Sequence, residues 1–294
     1  AFLAAAPPPR APPGVAAYST KYRRLVEDTI AFVRAGPGKA MIYHHRVRMS
    51  GVLQIQELLR ENGFADEASA PTAATLCAVC GRPRGGHPAA PPHDYAPARF
   101  VIVNSELARS AIEASLARFN APSNREGHSF RVLIGSKIIR EGYNLKAVRL
   151  QQIAALPTDI PTLIQVLGRA VRKGSHAALP PDQREVRVRV YVSTAGEGAP
   201  LPHGAAAPEV RRYAEKVRSY HVTQEVEKAL RIYAVDSLLA GRGGLSAPAS
   251  LDAIPYRPAV SPEELERRPE TLATFSAYGH GKREVHTLAA AIRA

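Results

Sequence analysis

The feature that most constrains the fold is the alternation of short apolar runs with segments whose apolar residues recur at helical spacing. Apolar runs suited to buried strands lie at residues 40–44, 99–104, 130–134, 148–156 and 186–193, and helical patterns lie near 19–35, 50–63, 106–119 and 160–173. Strands that alternate with helices need right-handed crossovers, which produce a parallel sheet covered on both faces. The sequence therefore predicts a doubly wound α/β lobe, in which Ser50 is expected to cap the second helix.

Composition divides the remainder of the chain into segments around this lobe. We assign a linker to residues 1–18, the lobe to 19–64 and 96–195, an insertion to 65–95, a helical extension to 196–245, and a Pro-rich segment with the start of a truncated downstream domain to 246–294. The linker is rich in Ala and Pro without periodicity, and the extension is expected to be one long helix from about residue 208 to 239. Both ends resemble cuts, so we expect a fragment of a longer polypeptide.

The charge balance favours a polyanionic partner. The 294 residues include 39 Lys and Arg against 26 Asp and Glu, a formal net charge of +13. Nucleic acid is preferred to an anionic membrane, because no apolar run approaches the roughly 20 residues that span a bilayer. The two cysteines form one Cys-x-x-Cys and no signal peptide is recognisable, so we expect a reducing compartment and a protein that is not secreted.

A loop rich in polar and glycine residues follows the strand at 130–134. Open α/β sheets bind ligands just beyond the carboxyl ends of their strands, and this loop falls there. Ser136 offers a hydroxyl, Gly142 permits backbone conformations closed to other residues, and the Asn144 amide can donate and accept hydrogen bonds. Taken alone, the segment is also compatible with an ordinary connecting loop.

The helix predicted at 160–173 combines an apolar face with fixed positive charge. Its apolar residues Leu163, Val166, Leu167 and Ala170 recur at helical spacing, and Gln165, Arg169 and Arg172 lie on or around the opposite side. A guanidinium fork can pair with two phosphate oxygens and neutralise charge that develops in phosphoryl transfer. The simpler interpretation is a basic amphipathic helix with one face in solvent.

Together these two segments resemble motifs five and six of superfamily two helicases, within their second RecA-like lobe. The resemblance rests on a Ser-x5-Gly-x-Asn loop after a buried strand, then one strand, then Gln-x-x-Gly-Arg-x-x-Arg. It is most specific for the poxvirus-type helicases of large nucleocytoplasmic DNA viruses, related to the small subunit of the viral early transcription factor. Further similar segments lie at 41–44, 51–53, 156–157, 174–176, 233–236 and 274–279, so the resemblance covers about residues 19–294.

The resemblance implies that the lobe closes over ATP bound with Mg²⁺ mainly by a partner lobe. Arg172 would be the arginine finger on the γ-phosphate, and Arg169 its neighbour on the phosphates or on an acidic residue of the other lobe. Gln165 would position both, and Gly168 would belong to the nucleotide-binding motif.

The resemblance also assigns roles to the loop after the third strand. Ser136 and Gly142 would link the nucleotide to the nucleic-acid backbone, and Lys137 would contact a phosphate. Many superfamily members carry Asp where this chain has Asn144, which keeps the hydrogen-bonding shape and loses the charge. That departure puts in doubt any role of Asn144 toward a cation or a buried arginine.

The motifs of the other ATP-binding half are absent from the sequence. The segment Gly36-Pro37-Gly38-Lys39-Ala40 lacks the spacing of a phosphate loop and the hydroxyl that would bind Mg²⁺. Asp66-Glu67 imitates an acidic metal-binding box, but it follows a helix end and not an apolar strand. We therefore expect the fragment alone to be inactive as an ATPase.

The insertion carries a candidate zinc site with the spacing Cys77-x2-Cys80-x6-His87-x5-His93. Zinc prefers four tetrahedral sulfur and nitrogen ligands, and Gly81 would permit the tight turn after the second cysteine. A structural zinc can supply on the order of 10 kcal/mol of folding free energy, which suits an insertion with almost no apolar core of its own. The alternative is two free thiols and two loop histidines, and His93 is the least secure ligand.

The resulting functional hypothesis is the C-terminal lobe of a viral ATP-dependent helicase or translocase. Its implied partners are DNA, with RNA as an alternative, an N-terminal ATPase lobe of the same polypeptide, and a viral RNA polymerase. The implied location is the virion or the viral factory of the host cytoplasm, with no membrane. Two rivals stay open: an ATPase subunit of a viral early transcription factor, and a catalytically silent, zinc-stabilised scaffold that binds nucleic acid.

Overall fold

The computed structural model describes residues 19–88, 93–140, 142–193 and 207–233, with the side chains of 140 and 228–233 left aside. Among these residues one unit comprises 19–157 and 162–193, and a second comprises 158–161 and 207–233. The linker predicted at 1–18, the segment predicted at 246–294 and the similar segments at 234–236 and 274–279 lie outside the described residues.

Five α-helices and five strands lie along the described chain, and an α-helix separates all but one pair of successive strands. The helices are α1 (Thr20–Arg34), α2 (Val52–Glu61), α3 (Arg109–Asn120), α4 (Ile160–Leu167) and α5 (Pro208–Tyr233), and the strands are β1 (Lys39–Tyr43), β2 (Phe100–Val103), β3 (Val132–Gly135), β4 (Val148–Ile153) and β5 (Arg187–Val190). The strands form one sheet in the order β2-β3-β1-β4-β5, and every neighbouring pair is parallel. The predicted parallel α/β sheet is confirmed.

Both faces of the sheet are covered by helices. Successive strand residues point to opposite sides, so each strand contributes side chains to both packing layers. Ala40 and Ile42 of β1 lie in a core cluster with Leu25 of α1 and Ile55 of α2. On the other face, the buried Gln151 amide of β4 donates to the Val166 carbonyl of α4 at 2.8 Å. The alternation of the sequence is thus reflected in two separate packing layers.

Three helix ends differ from the sequence expectation. Gly51, and not Ser50, is the residue at the start of α2, which has no side-chain cap. Helix α3 begins at Arg109 and not at residue 106. Helix α4 ends at Leu167 and not at 173, so Arg169 and Arg172 lie in the turns beyond it. Gly168, a poor helix former, follows this end directly.

The insertion at 65–95 is hydrogen-bonded into the lobe. Ala65 forms a parallel bridge with Arg99 beside β2, and the Leu76 amide donates to the Gly63 carbonyl at 2.7 Å. Leu76 and Ala78 are buried in the same core cluster as Phe100 of β2. The insertion therefore adds its few apolar residues to the core of the lobe instead of forming a separate one.

Helix α5 belongs to the second unit, and its 26 residues are mostly polar. It carries local pairs of the kind that support an exposed helix, such as Gln224 Nε2 donating to Glu227 Oε2 at 2.9 Å. No helix within the described ranges combines the length and the apolarity needed to cross a membrane.

A fully buried arginine ties the amino ends of the strands to the end of α1. Arg131, directly before β3, is 0% exposed and its guanidinium lies 5.1 Å from the Phe32 ring centroid. The guanidinium donates to four backbone carbonyls, those of Phe32, Val33, Gly36 and Glu126. The carbonyls at a helix end lack partners within the helix and carry partial negative charge, so a cation there satisfies both needs. Burial lowers the pKa of Arg131 to about 10, which leaves it charged at neutral pH.

We predict that Arg131→Met lowers the free energy of unfolding by about 2–4 kcal/mol, because buried carbonyls lose their donors. Arg125→Met is the control: Arg125 is an exposed arginine six residues earlier, and its loss should change stability by about 0.5 kcal/mol or less. Urea denaturation of both variants provides the measurement. Equal stability of the two variants would contradict the structural role of Arg131.

Candidate functional site

The two predicted motif segments meet at the carboxyl edge of the sheet. β1 lies between β3 and β4, with Tyr43 paired to Gly135 on one side and to Ile153 on the other. The Ser136 loop begins directly after β3, and the segment that leads to α4 follows β4. Parallel pairing thus brings together two segments that the sequence separates by a whole strand.

Ser136 lies at the base of this loop and is 1% exposed. Its amide donates to the Val103 carbonyl at 3.0 Å, and its hydroxyl has no hydrogen-bond partner among the described residues. The next residue, Lys137, is exposed and begins a short 3-10 turn, Lys137–Arg140. The loop therefore presents the ammonium group to solvent and keeps the hydroxyl buried.

Two glycines shape the loop. Gly142 is exposed and has φ of +91°, a conformation that favours glycine, as its sequence position predicted. Gly135 was not singled out from the sequence, yet a Cβ atom there would lie 1.6 Å from Ile139 Cδ1. The turn of the loop onto the end of β3 thus excludes any side chain at position 135.

Arg172 and Asn144 are in direct contact. The Arg172 Nη1 donates to the Asn144 Oδ1, and Arg172 has no ion pair within the described ranges. Both residues are exposed. The amide oxygen therefore orients the guanidinium without neutralising its charge, and the donors of that group that Asn144 does not use can serve an anion.

Backbone hydrogen bonds join the same two segments. The Leu145 amide donates to the Arg169 carbonyl at 3.0 Å, and the Ala147 amide donates to the Ser175 carbonyl at 2.9 Å. We call these two bonds, together with the segments 145–147 and 169–175 that they connect, the motif junction. The Arg169 carbonyl is therefore committed to the neighbouring loop, consistent with the end of α4 at Leu167.

The other predicted motif-six residues lie around this junction. Gln165 is exposed on α4, and the Gly168 amide closes the helix with a 2.8 Å hydrogen bond to the Ile164 carbonyl. Arg169 is partly buried, and this burial together with the nearby charge of Arg172 lowers the pKa of Arg169. The two positive charges favour an anion beside them.

Four side chains of the insertion converge as a metal site requires. The ligand atoms of Cys77, Cys80, His87 and His93 lie within 4.8 Å of one another. His93 Nε2 is 3.5 Å from Cys77 Sγ and 3.3 Å from His87 Nε2. Tetrahedral zinc with ordinary bond lengths places S and N ligands about 3.5 Å apart and two N ligands about 3.3 Å apart. The two separations that involve His93 thus fit a zinc ion.

The backbone around the cysteines is folded into the turn that such a site needs. The Gly81 amide donates to the Cys77 carbonyl at 2.9 Å, with φ of +67° at Gly81. A Cβ at this position would also lie 2.9 Å from Arg34 Cα, so glycine is required on two grounds. Burial raises the pKa of the Cys77 thiol, but hydrogen bonds from the Cys80 and neighbouring backbone amides outweigh it and the net shift is downward. The lowered pKa makes the thiolate, the form that binds zinc, easier to form there.

The two segments that resemble ATP-binding motifs, around Lys39 and Asp66, have structural roles instead. Lys39 is fully buried, and its Nζ donates to the Phe119 carbonyl at the end of α3 at 2.8 Å. Asp66 accepts hydrogen bonds from the Ala68 and Ser69 amides, which closes a turn. Neither segment supplies a phosphate loop or an acidic metal-binding box.

A family model described as the helicase conserved C-terminal domain matches residues 93–174. This range holds β2, β3, β4 and α4, together with nearly all of the motif junction. The chain therefore carries the C-terminal RecA-like lobe of a superfamily two helicase, which confirms the predicted class.

The relatives of this chain are viral proteins named as early transcription factor subunits or helicases. An African swine fever virus (Kenyan isolate) protein named early transcription factor large subunit homolog is 45% identical over 98% of this chain and 24% of its own length. A putative ATP-dependent RNA helicase of Acanthamoeba polyphaga mimivirus is 26% identical over 75% of this chain and 20% of its own. The early transcription factor 70 kDa subunit of vaccinia virus is 37% identical over 28% of this chain and 13% of its own.

These relatives confirm the viral family that the sequence resembles, but their names do not agree on one subunit. The African swine fever virus relative is named for the large subunit, whereas the sequence resemblance is to the small one. The chain spans about a quarter of the length of the African swine fever virus relative and a fifth of the length of the mimivirus relative. Among solved structures, the C-terminal domain of the DEAD-box protein Dbp5 covers 59% of this chain and 70% of its own at 17% identity and a TM-score of 0.36. The assignment therefore rests on the family model and the relatives.

His44, at the carboxyl end of β1, generates a prediction about pH. It is 4% exposed, its Nδ1 accepts the Arg46 amide at 3.0 Å, and burial lowers its pKa to about 4. Between about pH 6.5 and pH 4 the unfolded chain binds a proton at this residue and the folded chain does not, so acid costs up to roughly 3 kcal/mol of stability. We expect His44→Asn to unfold with a shallower pH dependence in this window, measured by urea denaturation at several pH values. His128→Asn, which removes a histidine that is 42% exposed, should keep the steep dependence, and equal slopes in both variants would contradict the prediction.

Proposed function

We propose that this chain is the C-terminal motor lobe of a viral ATP-dependent helicase or translocase. In this proposal it completes an ATP site whose other half lies on an N-terminal ATPase lobe of the same polypeptide. The observation that carries the proposal is the motif junction, with the Arg172 guanidinium held by Asn144 and the charge of Arg172 not paired with any described carboxylate. An oriented arginine at the carboxyl edge of a parallel sheet suits a phosphate chain.

Within this site, each motif-six residue has a distinct role. Arg172 is the arginine finger that approaches the γ-phosphate and neutralises charge as the terminal P–O bond breaks. Arg169, whose charge is partly desolvated, contacts the phosphates or an acidic residue of the other lobe. Gln165 positions the two arginines, and Gly168 leaves space for the close approach of the nucleotide.

The motif-five loop contributes on the nucleic-acid side. Lys137 is exposed and suits a phosphate of the backbone, and Ser136 and Gly142 set the path of the loop. DNA is the preferred partner, with RNA as the alternative, and the net charge of +13 supports a polyanion in either case. Closure of the two lobes on ATP and their separation after hydrolysis would move the motor along the strand.

ATP and Mg²⁺ would be bound mainly by the other lobe. Mg²⁺ would supply positive charge that neutralises the phosphates during hydrolysis. Among the described residues, Lys39 and Asp66, which most resemble the necessary ligands, are committed to backbone contacts. The lobe alone should therefore not hydrolyse ATP.

A second candidate function is the ATPase subunit of a viral early transcription factor. It is favoured by the names of the African swine fever virus and vaccinia virus relatives. In that role ATP hydrolysis would open a promoter or remodel a viral RNA polymerase, and the protein would act in the virion or in the viral factory of the host cytoplasm. Both candidates use the same ATP site and differ in the polynucleotide and the partner on which the motor acts.

We further propose that Cys77, Cys80, His87 and His93 bind one structural zinc ion. The separations of 3.5 Å and 3.3 Å between ligand atoms and the lowered pKa of Cys77 support this. Zinc would fasten the insertion to the edge of the sheet, since Leu76 and Ala78 on either side of Cys77 lie in the lobe core. Two free thiols and two loop histidines are the alternative.

The finger assignment is tested in the full-length protein with Arg172→Ala. We predict that nucleic-acid-stimulated ATP hydrolysis falls on the order of 10³-fold, because the developing phosphate charge loses its counter-charge. Arg23→Ala, which removes an arginine paired with Glu27 at 2.7 Å on α1, should hydrolyse ATP like the wild type. Steady-state phosphate release measures both variants.

Two outcomes would reject this proposal. If Arg172→Ala retained wild-type hydrolysis, the finger assignment would be wrong. If the wild-type full-length protein bound nucleic acid but hydrolysed no ATP, the catalytically silent scaffold would be the better description.

The zinc proposal predicts about one zinc per chain by elemental analysis of purified protein. Removal of the metal by a strong chelator, or Cys77→Ser, should unfold the lobe, because structural zinc contributes on the order of 10 kcal/mol and a domain of this size has about that much stability in total. His221→Ser, a change on α5, is the control and should retain both zinc and stability. A zinc content far below one per chain would leave the free-thiol alternative.

A further inference from the structure

Asn120 is a residue that neither the sequence motifs nor the proposed ATP site includes. It is the last residue of α3, and its side-chain amide bonds to the backbone of the motif-five loop in both directions. Asn120 Nδ2 donates to the Asn144 carbonyl at 2.8 Å, and Asn120 Oδ1 accepts the Lys146 amide at 2.8 Å. Since a carbonyl can only accept and an N–H can only donate, these partners fix the orientation of the Asn120 amide.

These two hydrogen bonds hold the loop on the side opposite the motif junction. Leu145, between the two bonded positions, donates its own amide to the Arg169 carbonyl at 3.0 Å. The short segment 144–146 is thus bonded alternately to Asn120 and to the arginine turn. Its backbone has little freedom to shift in either direction while both sets of bonds persist.

Next to segment 144–146, Ala147 has an unfavourable backbone conformation that a loop without these hydrogen bonds would not keep. Ala147 has φ of +55°, in the left-handed region where a residue with a Cβ pays about 1 kcal/mol or more. Such a conformation persists only where the surrounding structure determines it. The hydrogen bonds at Asn120 and at the Ser175 carbonyl flank this residue and supply that restraint.

We infer that Asn120 is a positioning residue for the arginine finger, an inference that rests on the proposed ATP site. It fixes the backbone of Asn144, the Asn144 Oδ1 accepts from Arg172, and the guanidinium is thereby oriented. Asn120 does not itself contact Arg172 or the nucleotide. A shift of the Asn144 backbone by a fraction of an ångström would move the finger by a similar amount.

A merely structural role for Asn120, as a helix cap, fits its contacts less well. Asn62 at the end of α2 shows that alternative, since its Nδ2 bonds to the Leu58 carbonyl of its own helix at 2.8 Å. Asn120 instead directs both halves of its amide to residues 24 and 26 positions away. Asn62 therefore serves as a matched control, an asparagine at a helix end without contact to the motif loop.

The test compares variants of the full-length protein in steady-state ATP hydrolysis. Asn120→Ala should lower kcat about 10-fold with little change in the KM for ATP, because the finger is displaced at the transition state while most ATP contacts lie on the other lobe. Asn120→Asp, which keeps the acceptor for the Lys146 amide but places a carboxylate oxygen against the Asn144 carbonyl, should be at least as slow as Asn120→Ala. Asn62→Ala should match the wild type in kcat, and thermal melting should show all the variants folded at the assay temperature.

A double variant separates positioning from general destabilisation. If Asn120 acts through Asn144, Asn120→Ala combined with Asn144→Ala should be about as slow as Asn144→Ala alone, whereas independent effects would multiply. Multiplied effects, or a wild-type kcat in Asn120→Ala, would overturn the inference. A wild-type kcat in Asn120→Ala together with an inactive Arg172→Ala would reject the role of Asn120 alone, and an active Arg172→Ala would reject the proposed function itself.

Discussion

The structure of the site depends on the motif junction, the pair of backbone hydrogen bonds from Leu145 to Arg169 and from Ala147 to Ser175. These bonds use carbonyls that would otherwise extend α4 or face solvent, and they connect the loop after β3 to the turn after α4. Because they are made by backbone groups, they need no particular side chain as donor or acceptor. Two side-chain contacts add to these backbone bonds. Asn144 accepts a hydrogen bond from Arg172 and so orients its guanidinium, and His176 Nε2 lies 2.7 Å from the Val148 carbonyl.

Much of the fold could be predicted because it follows from local patterns. The apolar runs at 40–44 and 130–134 correspond to β1 and β3, since short apolar runs bounded by turn residues suit strands that are buried on both faces of a parallel sheet. The error at the end of α4 has a physical cause: Leu163, Val166 and Ala170 keep helical spacing, but the Arg169 carbonyl bonds to Leu145, a partner 24 residues earlier. The spacing of apolar residues indicates which residues are buried. It does not indicate which backbone groups form hydrogen bonds with distant parts of the chain.

The candidate site likewise contains residues that could be predicted from the sequence and residues that could not. Arg172 and the zinc-site residues could be proposed because their chemistry and spacing are visible in the sequence. Asn120 could not, because an asparagine at a helix end is ordinary and its partners at 144 and 146 are close only after folding. Gly135 was missed for a related reason, since its need for no side chain arises from Ile139, which turns back over the strand end. Contacts made by the folded chain leave little trace in a single sequence.

The stretch Leu76-Cys77-Ala78 has a consequence for how the insertion tolerates change in length. Leu76 and Ala78 lie in the core cluster, while the Cys77 sulfur between them lies among the side chains of the candidate zinc site. Residues in an extended segment alternate sides, so one residue added or removed within these three would exchange the two environments. A thiol would then enter the apolar core and an apolar side chain would replace a ligand. Insertions and deletions within these three residues should therefore be tolerated poorly.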